Sequence, residues 1–316
     1  MYGSDVGEGT ARDIPIFLHQ QPFEDALHAA RNAIERRLIE VTRSQRVGAA
    51  ASSRLDDAMR YAVLGGGKRL RAILVLLTND MLGGNVERAL HAAAAVECVH
   101  AQSLVHDDLP CMDDDDLRRG KPSVHRKFDE ATAVLCGDAL LTLAFELLAD
   151  ERTHLNPLCR LRLITELARS IGRDGLALGQ TLDLTASLAW SADEMLRCAE
   201  LKTARLFEFS LLVGATVAGA QHQQLASLVK FGTLLGLAFQ VSDDLLDRLG
   251  DEGQMGKRLN KDAVSGRRTA TEIWGIEGAR DKLHQLASDG RSQLACFGEP
   301  ARHIRELIDI VVERVP

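Results

Sequence analysis

Aromatic residues are scarce in this sequence, and positive charge is not in excess. Phe, Tyr and Trp together make up 4% of the chain, while Ala and Leu dominate, so helix is favoured over sheet. The formal net charge is −7 and the pI is near 5.8. An acidic protein lacks the positive field that attracts nucleic acid, and we therefore expect no nucleic-acid partner.

Signals for disulfides, export and membrane insertion are also missing. The six cysteines contain no C-x-x-C pair, which is typical of reduced thiols in a cytoplasmic protein. Residues 1–21 lack a basic stretch followed by an apolar core, so no signal peptide is predicted. No apolar run approaches the roughly 18 residues of a membrane span. The expectation is a soluble, cytoplasmic protein without a membrane span.

Helical periodicity runs through the chain from Phe23 onward, with apolar residues recurring every three to four positions. Predicted helices cover about residues 23–41, 53–64, 68–81, 86–109, 131–148, 158–170, 175–188, 192–220, 223–249, 269–293 and 302–315. No β-alternation, repeat or linker interrupts the pattern. We predict an all-α fold, with a flexible arm over residues 1–21 and a single bundle domain over residues 22–316.

A dense acidic cluster follows the predicted helix that ends near Leu109. It contains Asp107, Asp108 and Asp113–Asp116, and Arg118 and Arg119 come directly after it. Carboxylates packed this closely repel each other unless cations lie among them, and hard divalent cations take oxygen ligands. Arginine pairs beside such a site suit a phosphate, because the guanidinium fork matches phosphate oxygens. Taken alone, the cluster could equally be a solvated acidic loop.

A second acidic group lies on a predicted helix near the other end of the chain. Gln240, Asp243 and Asp247 are spaced i, i+3, i+7 and share one helical face, which Asp244 borders. Their neighbours are apolar, and carboxylates in such surroundings are costly without partners. A surface salt-bridge ladder would need lysines at i±4, and none is present. The pattern therefore predicts metal ligation.

A glycine-rich turn supplies a candidate anion site. Three glycines, residues 65–67, precede Lys68 and Arg71 at a predicted helix start. Exposed backbone N–H groups and two cations at such a position bind anions well. The spacing is not that of a Walker loop, and a plain turn with basic neighbours is the alternative.

Two aspartate groups on separate helices of one bundle are expected to face each other across a cavity. Together they would hold two or three Mg²⁺ ions, which in turn hold a diphosphate, since Mg²⁺ combines few carboxylates with substrate phosphate and water. Basic residues then divide into two sets. Lys68, Arg71 and Arg119 could hold a second anion without metal, and Arg118, Lys202 and Lys257 could neutralise the metal-bound one.

The ordered motifs resemble those of the trans-prenyl diphosphate synthases, the farnesyl and geranylgeranyl diphosphate synthase family, in their bacterial form. Asp107-Asp108-Leu-Pro-Cys-Met-Asp113 matches the first aspartate-rich motif of that family, and Asp243-Asp244-Leu-Leu-Asp247 matches the second. Further matches, in family order, are Gly66 to Arg71, His100, Arg118-Arg119, Gly179-Gln180-x-x-Asp183, Lys202-Thr203, Gln240 and Gly256-Lys257. The resemblance covers the chain from about Phe23 to its end.

The resemblance implies a bundle around a deep central cavity and a head-to-tail 1′-4 condensation of isopentenyl diphosphate with an allylic diphosphate (dimethylallyl, geranyl or farnesyl). By similarity, isopentenyl diphosphate is held by Lys68, Arg71, His100 and Arg119. The allylic diphosphate is held by Arg118, Lys202, Lys257 and Arg267. The metal ligands are Asp107, Asp108, Asp113, Asp243 and Asp247. The allylic cation is faced by Lys202 (through its backbone carbonyl), Thr203 and Gln240. Magnesium as cofactor and a homodimer complete the expectation, and the alanine-rich run Ala92–Ala95 could allow two subunits to pack closely.

Some positions depart from the family pattern. Arg267 stands where a lysine is usual, and a guanidinium does not replace a compact ammonium. Ala204 replaces a usual glycine and Ala72 a usual proline. These changes leave catalysis expected and the part played by Arg267 open.

Product length is predicted from the wall of the cavity below the first aspartates. Val99, Gln102 and Ser103 precede Asp107 on its helix, and the last two lie roughly 6 to 8 Å below it at about 1.5 Å per residue. In the family, a large aromatic near these positions limits the product to fifteen carbons. No Phe, Tyr or Trp occurs between Tyr61 and Phe128. We therefore predict geranylgeranyl diphosphate (C20), with farnesyl diphosphate (C15) as the alternative. A non-catalytic subunit of a heteromeric synthase and a helical scaffold are rivals of another class.

Overall fold

A computed structural model of the protein describes residues 18–43, 53–249 and 268–316, and within these ranges the fold is all-α, as predicted. The α-helices are α1 (Phe23–Val41), α2 (Arg54–Val63), α3 (Leu70–Met81), α4 (Val86–Asp107), α5 (Val124–Lys127), α6 (Glu130–Ala149), α7 (Pro157–Ile171), α8 (Leu176–Leu184), α9 (Ala192–Ala199), α10 (Arg205–Ala218), α11 (His222–Leu249), α12 (Ala270–Gln293) and α13 (Arg302–Glu313). Short 3₁₀ turns lie at Leu18–Gln20, Ala295–Phe297 and Glu299–Ala301.

Six of the thirteen helices in the described ranges begin where a polar side chain caps them. Ser53 and Asp56 form a reciprocal capping box at the start of α2, and Thr269 and Glu272 form one at the start of α12. Such boxes satisfy backbone N–H groups that the first turn leaves unpaired. The predicted boundaries agree with the observed ones to within a few residues, except that α8 ends at Leu184 rather than near residue 188.

The predicted helix over residues 192–220 is divided in the structure. A π-helical turn, Glu200–Ala204, separates α9 from α10. Such wide turns are rare inside α-helices and occur often at functional sites. The division was not predicted, because the residues of the turn have ordinary helical character.

A short hairpin also escaped prediction. Strands β1 (Leu117–Arg118) and β2 (Lys121–Pro122) pair antiparallel, and the turn between them has positive φ at Arg119 (54°) and Gly120 (73°). The two-residue turn reverses the chain just after the first acidic cluster. It therefore fixes where Arg118 and Arg119 lie.

The core is centred on α4, which packs against α1, α3, α6 and α10. The alanine run Ala92–Ala95 is at most 1% exposed within the single chain. Its proposed use in packing two subunits together is therefore wrong, because no surface is left for a partner to contact. The small side chains instead allow neighbouring helices to approach α4.

Residues 18–21, which the sequence placed in a flexible arm, are packed onto the bundle. The Leu18 and His19 backbone N–H groups donate to the Asp80 carboxylate at 3.0 and 2.7 Å. Arg302 donates to the carbonyls of His19 and Gln21 at 3.1 and 2.6 Å. The rest of the arm, residues 1–17, lies outside the described residues.

Two helices, α6 and α11, are long and apolar enough to cross a membrane by length and composition alone. The expectation that no apolar run reaches that length is therefore corrected. About half of each apolar window is buried inside the fold, 44% in α6 and 50% in α11. Core helices of soluble bundles show the same composition, because apolar side chains cover most of their surface.

Candidate active site

The first acidic cluster begins at the C-terminal end of α4. The Asp113 backbone N–H donates to the Asp107 carbonyl at 2.9 Å, and that of Asp115 donates to the Asp108 carbonyl at 3.2 Å. The loop thus folds back over the helix end and satisfies carbonyls that the last turn leaves unpaired. Asp107 and Asp113 are brought near each other by this turn.

Asp108 and Arg118 hold each other. The Arg118 Nε donates to Asp108 Oδ1 at 2.9 Å, and its Nη2 contacts the same carboxylate and lies 3.4 Å from Asp115 Oδ2. Asp108 is 2% exposed. The two residues were predicted to bind a metal and a diphosphate separately. In the structure they form a buried ion pair that sets the hairpin against α4.

Asp107 lies beside other charges of both signs. Burial raises the pKa of its carboxyl to about 6, and repulsion from Asp113 and Asp108 acts in the same direction. Attraction to Lys202 and Arg118 acts to lower it. A cation placed at this carboxylate would relieve both the burial cost and the repulsion.

The glycine turn brings the hairpin and the start of α3 together. Gly66 and Gly67 have φ values of 94° and 124°, and the Arg119 guanidinium donates to the Gly66 carbonyl. A Cβ on Gly67 would lie 2.6 Å from the Arg119 guanidinium carbon. The positive φ values thus favour glycine at both positions, whereas the Arg119 guanidinium, at the end of a flexible side chain, could shift to make room for a Cβ. Lys68, beside them, is exposed.

Arg69 anchors this turn to three helices. Its Nε donates to Glu35 at 2.6 Å, its Nη1 to Glu97 at 3.1 Å and its Nη2 to the Val63 carbonyl at 2.7 Å. Arg69 is 5% exposed and has φ of 54°. Strain in its backbone is outweighed by this set of charge-assisted bonds. Lys68 and the helix start behind it are therefore held in a fixed position.

Arg71 presents an unsatisfied cation. Its guanidinium carbon lies 4.4 Å from the centre of the Phe207 ring, and no described residue accepts a hydrogen bond from its buried Nε. Burial lowers the pKa of the group to about 10, with Arg119 acting in the same direction and Glu97 and Asp243 opposing. It remains charged at neutral pH, so an arriving anion would complete its bonding.

His100 lies among the same cations. Burial lowers the pKa of its imidazole well below 6.5, and Arg71 and Arg119 are the largest charges acting in the same direction. The ring is therefore neutral at neutral pH and can donate one N–H to an anion without adding charge. His100 and Arg119 both line a cleft of about 530 Å³ between α2, α4 and the hairpin.

The π turn that carries Lys202 and Thr203 is enclosed by two glycines. A Cβ on Gly179 of α8 would lie 2.3 Å from the Lys202 backbone nitrogen. A Cβ on Gly236 of α11 would lie 2.3 Å from the Ala204 Cα. Any larger side chain would push the turn out of place. The backbone at Lys202 is thus positioned by close contact from both sides.

Lys202 connects the first acidic cluster to α8. Its ammonium forms an ion pair with the Asp183 carboxylate. Burial acts to lower the pKa of Lys202, but attraction from Asp183 and Asp107 outweighs it and raises the pKa. Lys202 is therefore a firmly charged group between two carboxylates, and Asp183 is a site residue to which the sequence assigned no role.

The second acidic group lies on α11 with its members facing different partners. Asp243 pairs with Arg314 at 2.8 Å, and that guanidinium also donates to Ser242 at 2.7 Å. Asp244 is buried, whereas Asp247 is partly exposed. The contact of Arg314 with a predicted metal ligand had no signal in the sequence, because 71 residues separate the two.

Gln240 joins the π turn to α11. Its Oε1 accepts a hydrogen bond from the Thr203 hydroxyl at 3.0 Å, and its Nε2 donates to Asp244 at 2.9 Å. Gln240, Asp244, Lys202 and Asp183 line a second cleft, of about 350 Å³. The structure thus provides two separate clefts, each with charged groups for one anion.

The residues available for a metal are carboxylates on both sides of these clefts. Among the described residues, no three His, Cys, Asp or Glu side chains are gathered tightly enough to form a metal site alone. Mg²⁺ usually takes only one or two carboxylates and completes its shell with phosphate and water. The oxygen donors and the repulsion at Asp107 therefore fit Mg²⁺ bound together with a diphosphate.

The structure places the remaining predicted site residues as follows. The charge of Asp107 acts on Lys202, and Lys202 and Asp244 line the same cleft, so both acidic groups border one region. The charge of Asp243 likewise acts on Arg71. Ser103 is buried and donates to the His100 carbonyl at 3.0 Å, and Val99 is fully buried. Gln102 contacts His106 at 3.1 Å. Lys257 and Arg267 lie outside the described residues.

Comparison with known proteins agrees with this arrangement. Residues 52–296 match the family of polyprenyl synthetases. The chain is 39% identical over 298 residues to geranylgeranyl pyrophosphate synthase 7 of Arabidopsis thaliana, covering 93% of this chain and 84% of that protein. It is 42% identical over 264 residues to farnesyl diphosphate synthase of Escherichia coli, covering 82% and 88%.

Solved structures of the same kind superpose on the fold. An FPP/GFPP synthase from Zymomonas mobilis has a TM-score of 0.82 at 38% identity, covering 92% of this chain and 98% of that one. A geranyltransferase from Legionella pneumophila has a TM-score of 0.82 at 29% identity, covering 93% and 97%. The chain belongs to the polyprenyl synthetase family, and its fold is that of the trans-prenyl diphosphate synthases.

Proposed function

We propose that this protein condenses isopentenyl diphosphate head-to-tail with allylic diphosphates and releases geranylgeranyl diphosphate. One observation supports the reaction above all: Lys202, Thr203 and Gln240 meet beside Asp107 and Asp183, next to a separate cationic cleft that holds His100 and Arg119. Two anionic substrates therefore have distinct places to bind. The relatives that match are synthases of this reaction class.

Asp107, Asp113, Asp243 and Asp247 would hold Mg²⁺, and Asp108 would join them if Arg118 turned to the diphosphate. When bound, Mg²⁺ meets the negative charge that develops on the departing diphosphate. Lys202, which Asp183 holds in place before substrate arrives, adds a fixed cation for the same charge, and Arg118 would add a second one.

The cationic cleft would hold the diphosphate of isopentenyl diphosphate. Arg119 and His100 line this cleft and supply a cation and a neutral N–H donor. Arg71, whose charge acts on His100, would add a buried guanidinium whose Nε lacks a described partner, and Lys68 would add a cation from the neighbouring turn. These groups orient the double bond of this substrate toward the other cleft.

The electron balance of the step is simple. The C1–O bond of the allylic diphosphate breaks and both electrons leave with the diphosphate. The π electrons of isopentenyl diphosphate form the new bond from its C4 to that C1. A proton is then lost from C2 to the released diphosphate, so no side-chain base is needed. Thr203 and Gln240 direct oxygen dipoles at the transient cation without offering a strong nucleophile.

The C20 product is supported by the wall beneath the first acidic cluster. Ser103, one turn before Asp107, is 8% exposed and carries only a small hydroxymethyl group. The helix between Val86 and Asp107 contains no Phe, Tyr or Trp. A growing chain therefore meets no ring on this wall. Sequence identity does not discriminate, because the farnesyl and geranylgeranyl synthases match to a similar degree.

The test is incubation of the purified chain with Mg²⁺, isopentenyl diphosphate and each allylic diphosphate in turn, followed by chromatography of the dephosphorylated products. We expect geranylgeraniol, including from farnesyl diphosphate as primer. Farnesol as the final product, with farnesyl diphosphate left unconsumed, would establish the C15 alternative. No turnover with any primer would favour a non-catalytic subunit, a role that the intact acidic groups argue against.

We also infer that the protein forms a homodimer. Large apolar side chains are exposed close together in sequence at the start of α7: Leu155 (64%), Leu158 (71%) and Leu161 (59%). Such a patch is typical of an interface rather than a free surface. Light scattering after gel filtration should give twice the 34.5 kDa chain mass, and a monomer at all concentrations would reject the inference.

A further inference from the structure

Asp244 belongs to the second acidic group and lines the second cleft, yet its carboxylate is bonded to neighbouring groups of the protein. Its side chain is buried, with the residue 5% exposed. Oδ2 accepts a hydrogen bond from the backbone N–H of Ala270, the first residue of α12, at 2.8 Å. Oδ1 accepts from Gln240 Nε2 at 2.9 Å. Both oxygens of this carboxylate are thus bonded to groups of the protein.

These contacts fix the direction of the Gln240 amide. A side-chain amide has one donor end and one acceptor end, and it can rotate to exchange them. An ionised carboxylate only accepts hydrogen bonds, so it requires the NH₂ end of Gln240. The carbonyl end must then point away from Asp244, where the Thr203 hydroxyl donates to it at 3.0 Å.

Direction matters because the two ends of the amide carry opposite partial charges. With Oε1 in the cleft, Gln240 offers the negative end of its dipole to the allylic carbon as positive charge develops there. With the amide reversed, two N–H groups would face that charge and oppose it. The interaction grows only as the C–O bond breaks, so it lowers the barrier without tightening the substrate complex.

We propose that Asp244 is a positioning residue that locks the Gln240 carbonyl toward the reacting carbon, rather than a metal ligand. The proposal rests on the proposed function, and it divides the second acidic group by task. Asp243 and Asp247 are left to bind the metal, whereas Asp244 orients the Gln240 carbonyl that stabilises the allylic cation. The Ala270 contact adds that the start of α12 helps to hold the carboxylate in place.

The test compares Asp244→Asn with Asp243→Asn. Asn has the same shape, and its oxygen can still accept from Ala270. Its NH₂ end then faces Gln240 and favours the reversed amide. We expect kcat to fall by about a hundredfold, the lower end of the usual effect of losing one oriented dipole. The KM values and the half-saturating Mg²⁺ concentration should stay within about twofold of those of the parent, whereas Asp243→Asn should raise the Mg²⁺ requirement.

A binding measurement separates this role from a purely structural one. Calorimetry would compare a prenyl ammonium ion, which imitates the charged intermediate, with the neutral prenyl alcohol, each in the presence of Mg²⁺ and inorganic pyrophosphate. Asp244→Asn should weaken the ammonium by about tenfold and leave the alcohol unchanged. Equal weakening of both ligands, or a raised Mg²⁺ requirement with unchanged preference for the cation, would overturn the proposal.

A second variant keeps the test decisive if Asp244→Asn folds poorly. Gln240→Met removes the positioned carbonyl and retains Asp244. It should lose the same preference for the ammonium with an unaltered Mg²⁺ requirement, and full retention of that preference would overturn the proposal. Absence of turnover in the parent enzyme would count against the proposed function, whereas the ammonium comparison needs no turnover and judges Asp244 separately.

Discussion

The Lys202 ammonium is ion-paired with the Asp183 carboxylate, and this pair links the π turn to α8. Asp183 is mostly buried, with 9% of its side chain exposed. The Asp183 carboxylate neutralises the Lys202 ammonium, which is proposed to bind the diphosphate of the substrate. Its removal should therefore have effects that a bound anion can reverse.

Asp183→Asn is expected to destabilise the protein by about 1–3 kcal/mol, the cost of leaving a charged partner without its hydrogen bond. Inorganic pyrophosphate with Mg²⁺ should raise the melting temperature of this variant more than that of the parent, because a new anion meets Lys202. Thermal denaturation with and without ligand measures both effects. Asp193→Asn, on the exposed start of α9, is the control, and an equal ligand shift in all three proteins would contradict the prediction.

Gly179→Ala should damage the site through the backbone alone. The added Cβ would meet the Lys202 nitrogen at 2.3 Å, so the π turn must move. Overpacking of this kind costs about 1–3 kcal/mol, and a displacement near 1 Å can reduce kcat/KM by roughly a hundredfold. Steady-state kinetics and melting temperature test the variant. Thr181→Ala, at an exposed position on α8, should behave like the parent, and an active Gly179→Ala would show that the turn tolerates the shift.

Arg69→Met should impair isopentenyl diphosphate binding although Arg69 is buried beneath the glycine turn. The change leaves Glu97, which is 2% exposed, without its cation, at a cost of about 3–5 kcal/mol. We expect a raised KM for isopentenyl diphosphate and little change in KM for the allylic substrate. Arg69→Lys restores the charge without the fork and should fall in between. Equal increases in both KM values would mean that the whole fold, and not the turn, had been disturbed.

The neutral state of His100 predicts how stability depends on pH. Burial and the neighbouring arginines hold its folded pKa well below 6.5, whereas the unfolded chain takes up the proton near pH 6.5. The unfolded state therefore binds more protons as pH falls through 6.5, and this histidine contributes a loss of stability in that direction. His100→Gln should lose less stability between pH 7 and pH 5 in denaturant titrations. An identical slope in the two proteins would mean that His100 is protonated in the folded state.

Ser103→Tyr should shorten the product from C20 to C15. The ring would extend from a buried position one turn before Asp107 and close the space beneath the reacting carbon. Chromatography of dephosphorylated products measures the change. Cys98→Ser, on the same helix and buried, adds no bulk and should leave the product length as it is. An unchanged product in Ser103→Tyr would place the floor of the cavity elsewhere.

Helices and their ends were predictable because local patterns encode them. The capping pair Ser53 and Asp56, for example, is visible at its i, i+3 spacing. The two acidic groups were equally plain, since dense carboxylates in apolar surroundings demand cations. Matches to the family motifs also predicted that the glycine turn and Lys202 belong to the site.

Contacts between distant segments were not predictable. Arg69 and Glu97 are separated by 28 residues, and neither neighbourhood shows that the other is near. The pairing of Arg118 with Asp108 depends on a hairpin whose strands are too short to show a period. The sequence placed Asp244 at the border of the metal-facing stripe, but only the structure shows that its carboxylate accepts a hydrogen bond from the start of α12.

The π turn has a consequence for how this chain can change over evolution. A π turn contains about one residue more than an α turn. Deleting any single residue from Glu200–Ala204 would restore regular α-helical winding and remove the wide turn itself. The Lys202 backbone would then lose the position that close contact with Gly179 gives it. Insertions and deletions should therefore not be tolerated in the π turn. The exposed segment 185–189 should tolerate them, because its length does not set the position of a π turn.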